Sequence, residues 1–272
     1  RNVSMSFNIG KYRILEASRF TAYDPSTDEF LWDADDLQSF KIANTQDNQE
    51  DTGKNGEVIG VRKQNKKVTV TFTNGTLVTG AIASQLGVSP ESLTTAKVRY
   101  TDSVTITNNK GVTKFKAVGT TGNEIGKLYV RHGSSTQKTL TQDSTASAAG
   151  KFAYDPSTKT ITTFADDIED GTVVVVMYDR EVKDAERVRN LAGQYSKAIK
   201  AIVDLTVAEA GCNDEYFAQA IIYYLDCSGN FDITAGDQSV LDFEGTSVKY
   251  GCNTGANSVY YDFIVYDDKD AE

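Results

Sequence analysis

Apolar and polar residues alternate with a period of two along most of the chain. VTVTFT at 68–73 alternates without exception, and TVVVVMY at 172–178 has the β-branched richness of a more buried strand. From 199 to 207 every second residue is apolar, and Ile202 is the one apolar residue on the other face. The alanines here also allow a helix, but alternation of this length favours a long strand. Further strands are predicted in the last quarter, at 215–226, 229–236, 239–250 and 258–268.

Two short segments have helical character instead. TLVTGAIASQLG at 76–87 is apolar on one side and ends at Gly87, a residue that commonly stops helices. DAERVRNLAGQ at 184–194 offers Asp184 as an N-cap and apolar residues three positions apart. We therefore predict one or two short helices that connect strands in a mainly β chain.

Two polar stretches are predicted as loops. NTQDNQEDTGKNGE at 44–57 contains no apolar residue, so it cannot order itself by burial and is expected to form a long hairpin tip. Loops of this kind often order against a partner, although an exposed flexible tip is the alternative. SSTQKTLTQDSTASAAG at 134–150 is the second stretch and is expected to be mobile. The candidate contact residues in the first loop are Asp47, Glu50, Asp51, Lys54 and Glu57.

An acidic motif occurs twice. AYDPSTDEFLWDADD at 22–36 and AYDPSTKTITTFADD at 153–167 share AYDPST and ADD without a gap. Aspartate and proline favour a turn, and strand residues flank each copy, so a hairpin is predicted twice. The alternative is a metal site built from the carboxylates, but the second copy has Lys159 and Phe164 where the first has Asp28 and Asp33. A duplicated ligand set is therefore not expected.

Composition limits the classes of function. The chain has 272 residues with 39% hydrophobic content, enough for one large β-domain or two smaller ones. The net charge of −10 disfavours tight binding of nucleic acid. It suits a surface along which nucleic acid moves without binding. No apolar run is long enough for a membrane helix, and the first residues lack the apolar segment of a signal peptide. The cysteines Cys212, Cys227 and Cys252 are expected to be reduced and buried.

Catalytic motifs are lacking. His132 is the single histidine, and no GxSxG, P-loop, HExxH, EF-hand or GxGxxG spacing accompanies it. A glycosidase could use paired carboxylates such as Asp166 and Asp167, but adjacent acids on a strand point to opposite faces. We therefore predict no enzyme, no cofactor and no metal.

Long segments resemble the major tail, or tail-tube, proteins of tailed phages. The segments that carry the resemblance are FNIGKYRILEASRFTAYDPSTDEFLWDADDLQSF (7–40), DTGKNGEVIGVRKQNKKVTVTFTNGTLVTGAIASQLG (51–87), VVVVMYDREV (173–182) and the stretch from IVDLTVAEAG to VLDFEG (202–245). The likeness lies in the order of elements and in scattered side chains. EYFAQAIIYYLD departs from the family pattern in being more aromatic.

The resemblance implies a tail-tube-like β-barrel or β-sandwich in two halves, residues 1–96 and 182–272. Residues 97–181 would form an inserted sandwich, because strands recur there at an immunoglobulin-like spacing. Copies would form hexameric rings that stack into a tube for DNA. The edges expected to pair between copies are 67–73, 199–207 and 216–226. The candidate contact residues on these edges are Val203, Leu205, Tyr223 and Tyr224.

The implied partners are further copies of the chain and other tail proteins: the terminator, the baseplate or tip, and the tape measure. DNA would pass transiently through an acidic lumen. The location would be the virion tail, assembled in the cytoplasm of the host bacterium, with no membrane partner. The alternatives are a capsid decoration protein or another virion component with an Ig-like domain, and a bacterial surface binding module.

Overall fold

A computed structural model describes residues 11–132, 135–209, 215–235, 240–249 and 258–266. The described residues are mainly β, as predicted. The elements in chain order are β1 (Tyr12–Tyr23), β2 (Phe30–Ala34), β3 (Leu37–Thr52), β4 (Val58–Asn74), α1 (Thr79–Leu86), β5 (Glu91–Thr105), β6 (Lys110–Val112), β7 (Lys127–His132), β8 (Ser135–Gln142), β9 (Lys151–Asp155), β10 (Thr160–Thr163), β11 (Val173–Arg187), β12 (Ala198–Glu209), β13 (Glu215–Cys227), β14 (Ile233–Thr234), β15 (Val240–Ser247) and β16 (Asp262–Tyr266).

The chain divides into two compact units. Unit 1 combines the residues up to Pro90 with those from Val188 onward, and unit 2 comprises Glu91–Arg187. The insert boundaries predicted from the sequence, 97 and 181, fall a few residues inside unit 2. Each unit has a hydrophobic core of its own.

Unit 1 is built on a nine-stranded sheet. Its order is β2-β1-β12-β13-β15-β4-β3, with β14 paired to β15 and β16 paired to β13. β12 has the alternation expected of a strand, with Ile199, Ala201 and Val203 fully buried. Thus the strand interpretation of 199–207 is confirmed over the helical one.

An aromatic cluster fills the unit 1 core. Phe20 stacks on Trp32 with ring centroids 5.5 Å apart, and Phe72 stacks on Phe243 at 4.8 Å. Phe20 joins the two pairs through a 4.6 Å contact with Phe72. The rings come from the adjacent strands β1 and β2 and from β4 and β15 further along the chain, so the cluster ties these four strands together.

The helix α1 confirms the first helix prediction. Gly87 ends it at φ 70°, where its amide and that of Val88 donate to carbonyl groups of the last turn. This left-handed stop suits a glycine. The indole Nε1 of Trp32 donates to Ser84 Oγ at 2.9 Å, which anchors the helix on β2.

The second helix prediction is wrong. β11 continues to Arg187 and pairs with β5 as far as Glu91, and no helix lies in residues 188–194. Asp184 adopts φ 53° at an unpaired position within the ladder, so it caps no helix. Pairing with a strand about ninety residues earlier overrides the local helical tendency.

Both loop predictions are too long. β3 and β4 extend so far that only residues 53–57 separate them, and β8 occupies much of the second stretch. In the stretch at 44–57, cross-strand contacts order polar side chains that remain largely exposed. Asp51 accepts two hydrogen bonds from Arg62, and Asp47 accepts one from Asn65.

Unit 2 contains a seven-stranded sheet in the order β5-β11-β7-β8-β9-β10-β6. All its pairs are antiparallel except β8 with β9. Tyr178 is fully buried and donates to the buried carboxylate of Asp102 at 2.9 Å, while burial raises the pKa of this phenol to about 12. The immunoglobulin-like character of the insert stays a prediction.

The repeated acidic motif forms the two predicted hairpins. In the first, between β1 and β2, Asp24 Oδ1 accepts from the amide and hydroxyl of Ser26 at 2.8 and 2.5 Å. In the second, Asp155 Oδ1 makes the same contacts with Ser157 at 2.9 and 2.6 Å. The carboxylates are thus turn caps.

Candidate assembly surfaces

Chemical sites are sparse in the part of the chain that the structure describes. No group of three or more metal-ligating side chains is present among those residues. Cys227 is buried, and burial raises the pKa of its thiol to about 12, so it is not poised to react. Cys212 and Cys252 lie outside the described residues. His132 ends strand β7. No described helix is long and apolar enough to span a membrane.

The sheet of unit 1 has open edges. Within the described ranges, β2 and β3 terminate the sheet and β16 pairs only with β13. In the part of the chain that the structure describes, the side of β1 that faces away from β12 is also open from Arg13 to Arg19, because β2 pairs only with Phe20–Tyr23. Large apolar side chains stand exposed on these strands: Ile14, Leu15, Phe30, Leu31, Phe263 and Ile264. An open edge with exposed apolar residues is a template for another strand.

Two of these open edges are compatible in direction. β1, β12, β13 and β16 are neighbours, and each adjacent pair is antiparallel. β1 and β16 therefore run in opposite directions at the two sides of this four-stranded section. Placing β1 of one copy beside β16 of another would continue the antiparallel alternation.

The strands predicted as edges are internal. β4 lies between β15 and β3 at 68–74, β12 lies between β1 and β13, and β13 is flanked by β12 on one side and by β16 and β15 on the other. The expectation that 67–73, 199–207 and 216–226 are open is therefore wrong. Strand neighbours come from distant parts of the chain, so alternation alone does not reveal them.

The candidate contacts on those strands differ in accessibility. Val203 and Leu205 are 0% and 2% exposed in the core of unit 1, so their side chains are not available for contact with another copy. Tyr224 is 37% exposed. Tyr223 is half-buried, and its hydroxyl donates to Asp262 Oδ2 at 2.7 Å, which raises the pKa of the phenol.

The five charged candidates share one feature, here called the arm, which is the part of the β3–β4 hairpin at residues 44–67. Among the residues that the structure describes, β15 pairs with β4 only from Val68 onward, and the arm beyond that point is a two-stranded ribbon. Asp47 and Asp51 are tied to Asn65 and Arg62. The other three are exposed: Glu50, Lys54 and Glu57.

Sequence reasoning missed an apolar group at the end of the arm. Val58, Ile59 and Val61 are 52%, 73% and 52% exposed. Three exposed aliphatic residues at the end of an isolated ribbon are costly in water unless something covers them. The sequence signal was available, since EVIGV directly follows a stretch with no apolar residue.

Comparison with protein families decides the identity of the chain. The model of the YomU/Tube protein family matches residues 13–263. The chain belongs to the YomU/Tube protein family. The match confirms the resemblance to phage tail tube proteins, and it covers both units. A search of curated proteins gives no match. Membership of this family implies a structural component of the phage tail tube, with self-assembly and other tail proteins as its implied partners.

Proposed function

We propose that this Tube family chain forms hexameric rings that stack into a tail tube and conduct DNA during ejection. The observation that carries the proposal is the pair of open, direction-compatible edges of unit 1, β1 and β16. A contact between two different edges of identical copies is heterologous, and such contacts close into a ring when the rotation from one copy to the next divides a full turn.

The apolar residues on those edges support strand addition between copies. Ile14 is 58% exposed on the open half of β1, and Ile264 is 46% exposed on β16. Pairing of main-chain groups would supply affinity, and burial of these side chains would add to it. No catalytic or cofactor chemistry is needed for this role.

The arm supports stacking of one ring on the next. A two-stranded ribbon is at best marginally stable in water, so a partner surface would add to the stability that the cross-strand pairs provide. Glu50, Lys54 and Glu57, together with the exposed Val58 and Ile59, would form the contact with the adjacent ring. The terminator, the baseplate or tip and the tape measure would meet the ends and interior of the same tube.

Charge supports the passage of DNA. The chain carries 38 acidic and 28 basic residues. A lumen lined by such a protein would repel phosphates and would not hold them. The assembled protein would reside in the virion tail after assembly in the host cytoplasm.

Negative-stain electron microscopy of the purified protein tests the proposal. Wild-type protein should form rings with six-fold class averages, together with stacks of them. Replacement of Ile14→Lys with Ile264→Lys should leave folded monomers, because an ammonium group would be buried without a partner at the edge contact. The matched control is Val112→Lys, at a residue 60% exposed in unit 2, which should assemble normally.

Two results would contradict the proposal. One is wild-type protein that sediments as a monomer at high concentration. The other is immunogold labelling of icosahedral shells with unlabelled tails, which would favour a capsid decoration protein.

A further inference from the structure

The four-stranded section β1, β12, β13 and β16 has one face that the core of unit 1 does not use. The side chains of β12 alternate between a set buried in the core and a set that is only half-buried. Opposed residues of an antiparallel ladder share a face, so the registers extend the half-buried set across the section. We call this set with its ladder partners the free face, and on β12 it consists of Lys200, Ile202, Asp204 and Thr206.

The free face is not packed inside unit 1. Phe217 and Ile264 lie on it and are 44% and 46% exposed. Ile202 and Ile221 are opposed on the same face, and both lie outside the hydrophobic cluster that forms the described core. In the ring proposed above, this face would therefore meet either the lumen or the exterior.

The space inside a ring decides between these two sides. Six copies that each contribute four strands would build a wall with a circumference of roughly 115 Å at the usual strand spacing. The other strands of unit 1 lie across the core, where Phe72 of β4 contacts Phe20 of β1 at 4.6 Å. A layer about 10 Å inside the wall would have roughly half that circumference, too little for β15, β4 and β3 of six copies. The core side would therefore lie outside the wall, and the free face would line the lumen.

The two basic residues of the free face are paired with aspartates of the first acidic hairpin. Lys200 Nζ donates to Asp28 Oδ1 at 2.7 Å. Arg19 Nε lies 3.7 Å from Asp33 Oδ2, and Asp33 is the ladder partner of Thr21 on the same face. Both cations are thus neutralised on a surface that carries further carboxylates. These are Glu16, Asp204 and Asp262.

The second acidic hairpin shows that these two aspartates are not required for the turn. It forms the same cap from Asp155, although Lys159 and Phe164 stand where the first copy has Asp28 and Asp33. Exposed ion pairs also contribute little to folding stability. The two aspartates therefore fit a role in the surface charge of the free face better than a role in forming the hairpin.

We propose that Asp28 and Asp33 mask Lys200 and Arg19 on the lumen wall, so that duplex DNA passes without being held. This inference rests on the proposed function, because it needs a ring with a lumen. An unpaired lysine or arginine would contact phosphates and release counterions, and the copies around the ring would multiply that affinity. A carboxylate beside each cation cancels the attraction.

Retention of DNA by sedimented tubes tests the masking. Asp28→Asn with Asp33→Asn should still assemble, because asparagine tolerates the φ of 63° at position 28. At about 50 mM salt these tubes should retain at least about tenfold more of a linear fluorescent duplex of about 20 base pairs than wild-type tubes do. Retention should fall steeply toward about 200 mM salt. Adding Lys200→Gln with Arg19→Gln should return it to the wild-type level.

The matched control is Glu91→Gln with Asp179→Asn. It changes the net charge by the same amount and frees Arg187 and Arg99, two cations of unit 2 that pair with those acids. Its tubes should retain no more duplex than wild-type tubes. Closed circular DNA is a second control, because a closed circle cannot thread a lumen. Tubes of the Asp28→Asn and Asp33→Asn variant should not retain it.

The outcomes separate this inference from the proposed function. Tubes of the double variant that retain no more linear duplex than wild type would overturn the masking and leave the tube proposal intact. Retention that survives loss of the two cations, that the unit 2 control matches, or that extends to closed circles would also overturn it. Asp28→Asn alone repeats the test with one freed lysine, and failure of both variants to assemble would overturn the masking role. Wild-type protein that forms no rings would overturn both proposals.

Discussion

At the scale of single residues, one aspartate in each acidic hairpin acts as a turn cap. The hydroxyl of Ser26 and the amides of Ser26 and Thr27 hold the pKa of Asp24 at about 2. In the second hairpin, the pKa of Asp155 is held at about 2 by the hydroxyls of Ser157 and Thr158 and by the Ser157 amide. Because these donors prefer the ionised carboxylate, each turn is stabilised by its charge.

The pH dependence of stability follows from those two carboxyl groups. Their folded pKa lies below the usual 3.8, so their contribution is present above about pH 4 and is lost as pH falls through 2. Asp24→Ala with Asp155→Ala should be less stable at pH 7 and should show a weaker loss of unfolding free energy between pH 4 and 2. Carboxyl NMR titration of the wild type should give midpoints near 2.

Glu29→Ala is the control for this prediction, since it removes one exposed acid from the first turn. Its free energy of unfolding at pH 7 should stay closer to that of the wild type than the value for the double variant, because both capping carboxylates remain in place. Midpoints near 3.8 for Asp24 and Asp155 would show that the caps do not form.

At the scale of elements, the stop of α1 depends on a single glycine. A Cβ at Gly87 would lie 1.6 Å from the carbonyl oxygen of Tyr195, and the backbone there has φ 70°. Gly87→Ala should lower the free energy of unfolding by about 2 kcal/mol or more, through both the clash and the left-handed strain. Urea denaturation measures the change.

Gly193 offers a matched control for the helix stop. No heavy atom lies within 4 Å of a Cβ built there, apart from its chain neighbours. Gly193→Ala should change the free energy of unfolding by less than about 0.5 kcal/mol. Equal effects of the two substitutions would contradict the account of α1.

Burial explains which elements the sequence could predict. β12 was predicted because one face is buried against the core, which imposes a period of two on the residues. The outer parts of β3 and β4 were not predicted as strands. Cross-strand pairs of polar residues order the arm there and leave no hydrophobic pattern in the sequence. The helix predicted at 184–194 failed because its N-terminal part pairs with β5, and such long-range pairing leaves no local signal.

For the candidate assembly surfaces, the sequence pointed to the charged arm but not to the open strand edges. The charged residues of the arm are accessible, and composition alone drew attention to them. Val203 and Leu205 were placed on an open edge because an isolated strand pattern does not show how many neighbours the strand has. The open strands β1 and β16 emerge only when strand order is known.

At the scale of the whole molecule, the two units have separate cores and unit 2 has paired ends. Glu91 and Arg187 are partners in the β5–β11 ladder and form an ion pair. Chain ends that lie together in this way are typical of a domain that folds by itself. Unit 2 can therefore be tested as an independent fragment.

The fragment 91–187 should fold alone and stay monomeric, because the proposed ring edges belong to unit 1. Its unfolding should be cooperative, with a stability of about 5–15 kcal/mol, and thermal melting with light scattering measures both properties. Val176→Asp, at a fully buried position, should abolish the transition and serves as the control. A wild-type fragment without a cooperative transition would show that the cores depend on each other.

The alternating directions of four neighbouring strands limit what can set the number of copies in the proposed ring. These strands are β1, β12, β13 and β16. In the proposed ring, the four strands that each copy contributes make every junction antiparallel, so five, six or seven copies would satisfy main-chain hydrogen bonding equally. Polarity therefore cannot select the symmetry. The wedge angle between neighbours must do so, and errors of assembly should appear as complete rings of the wrong size, with no unsealed seam.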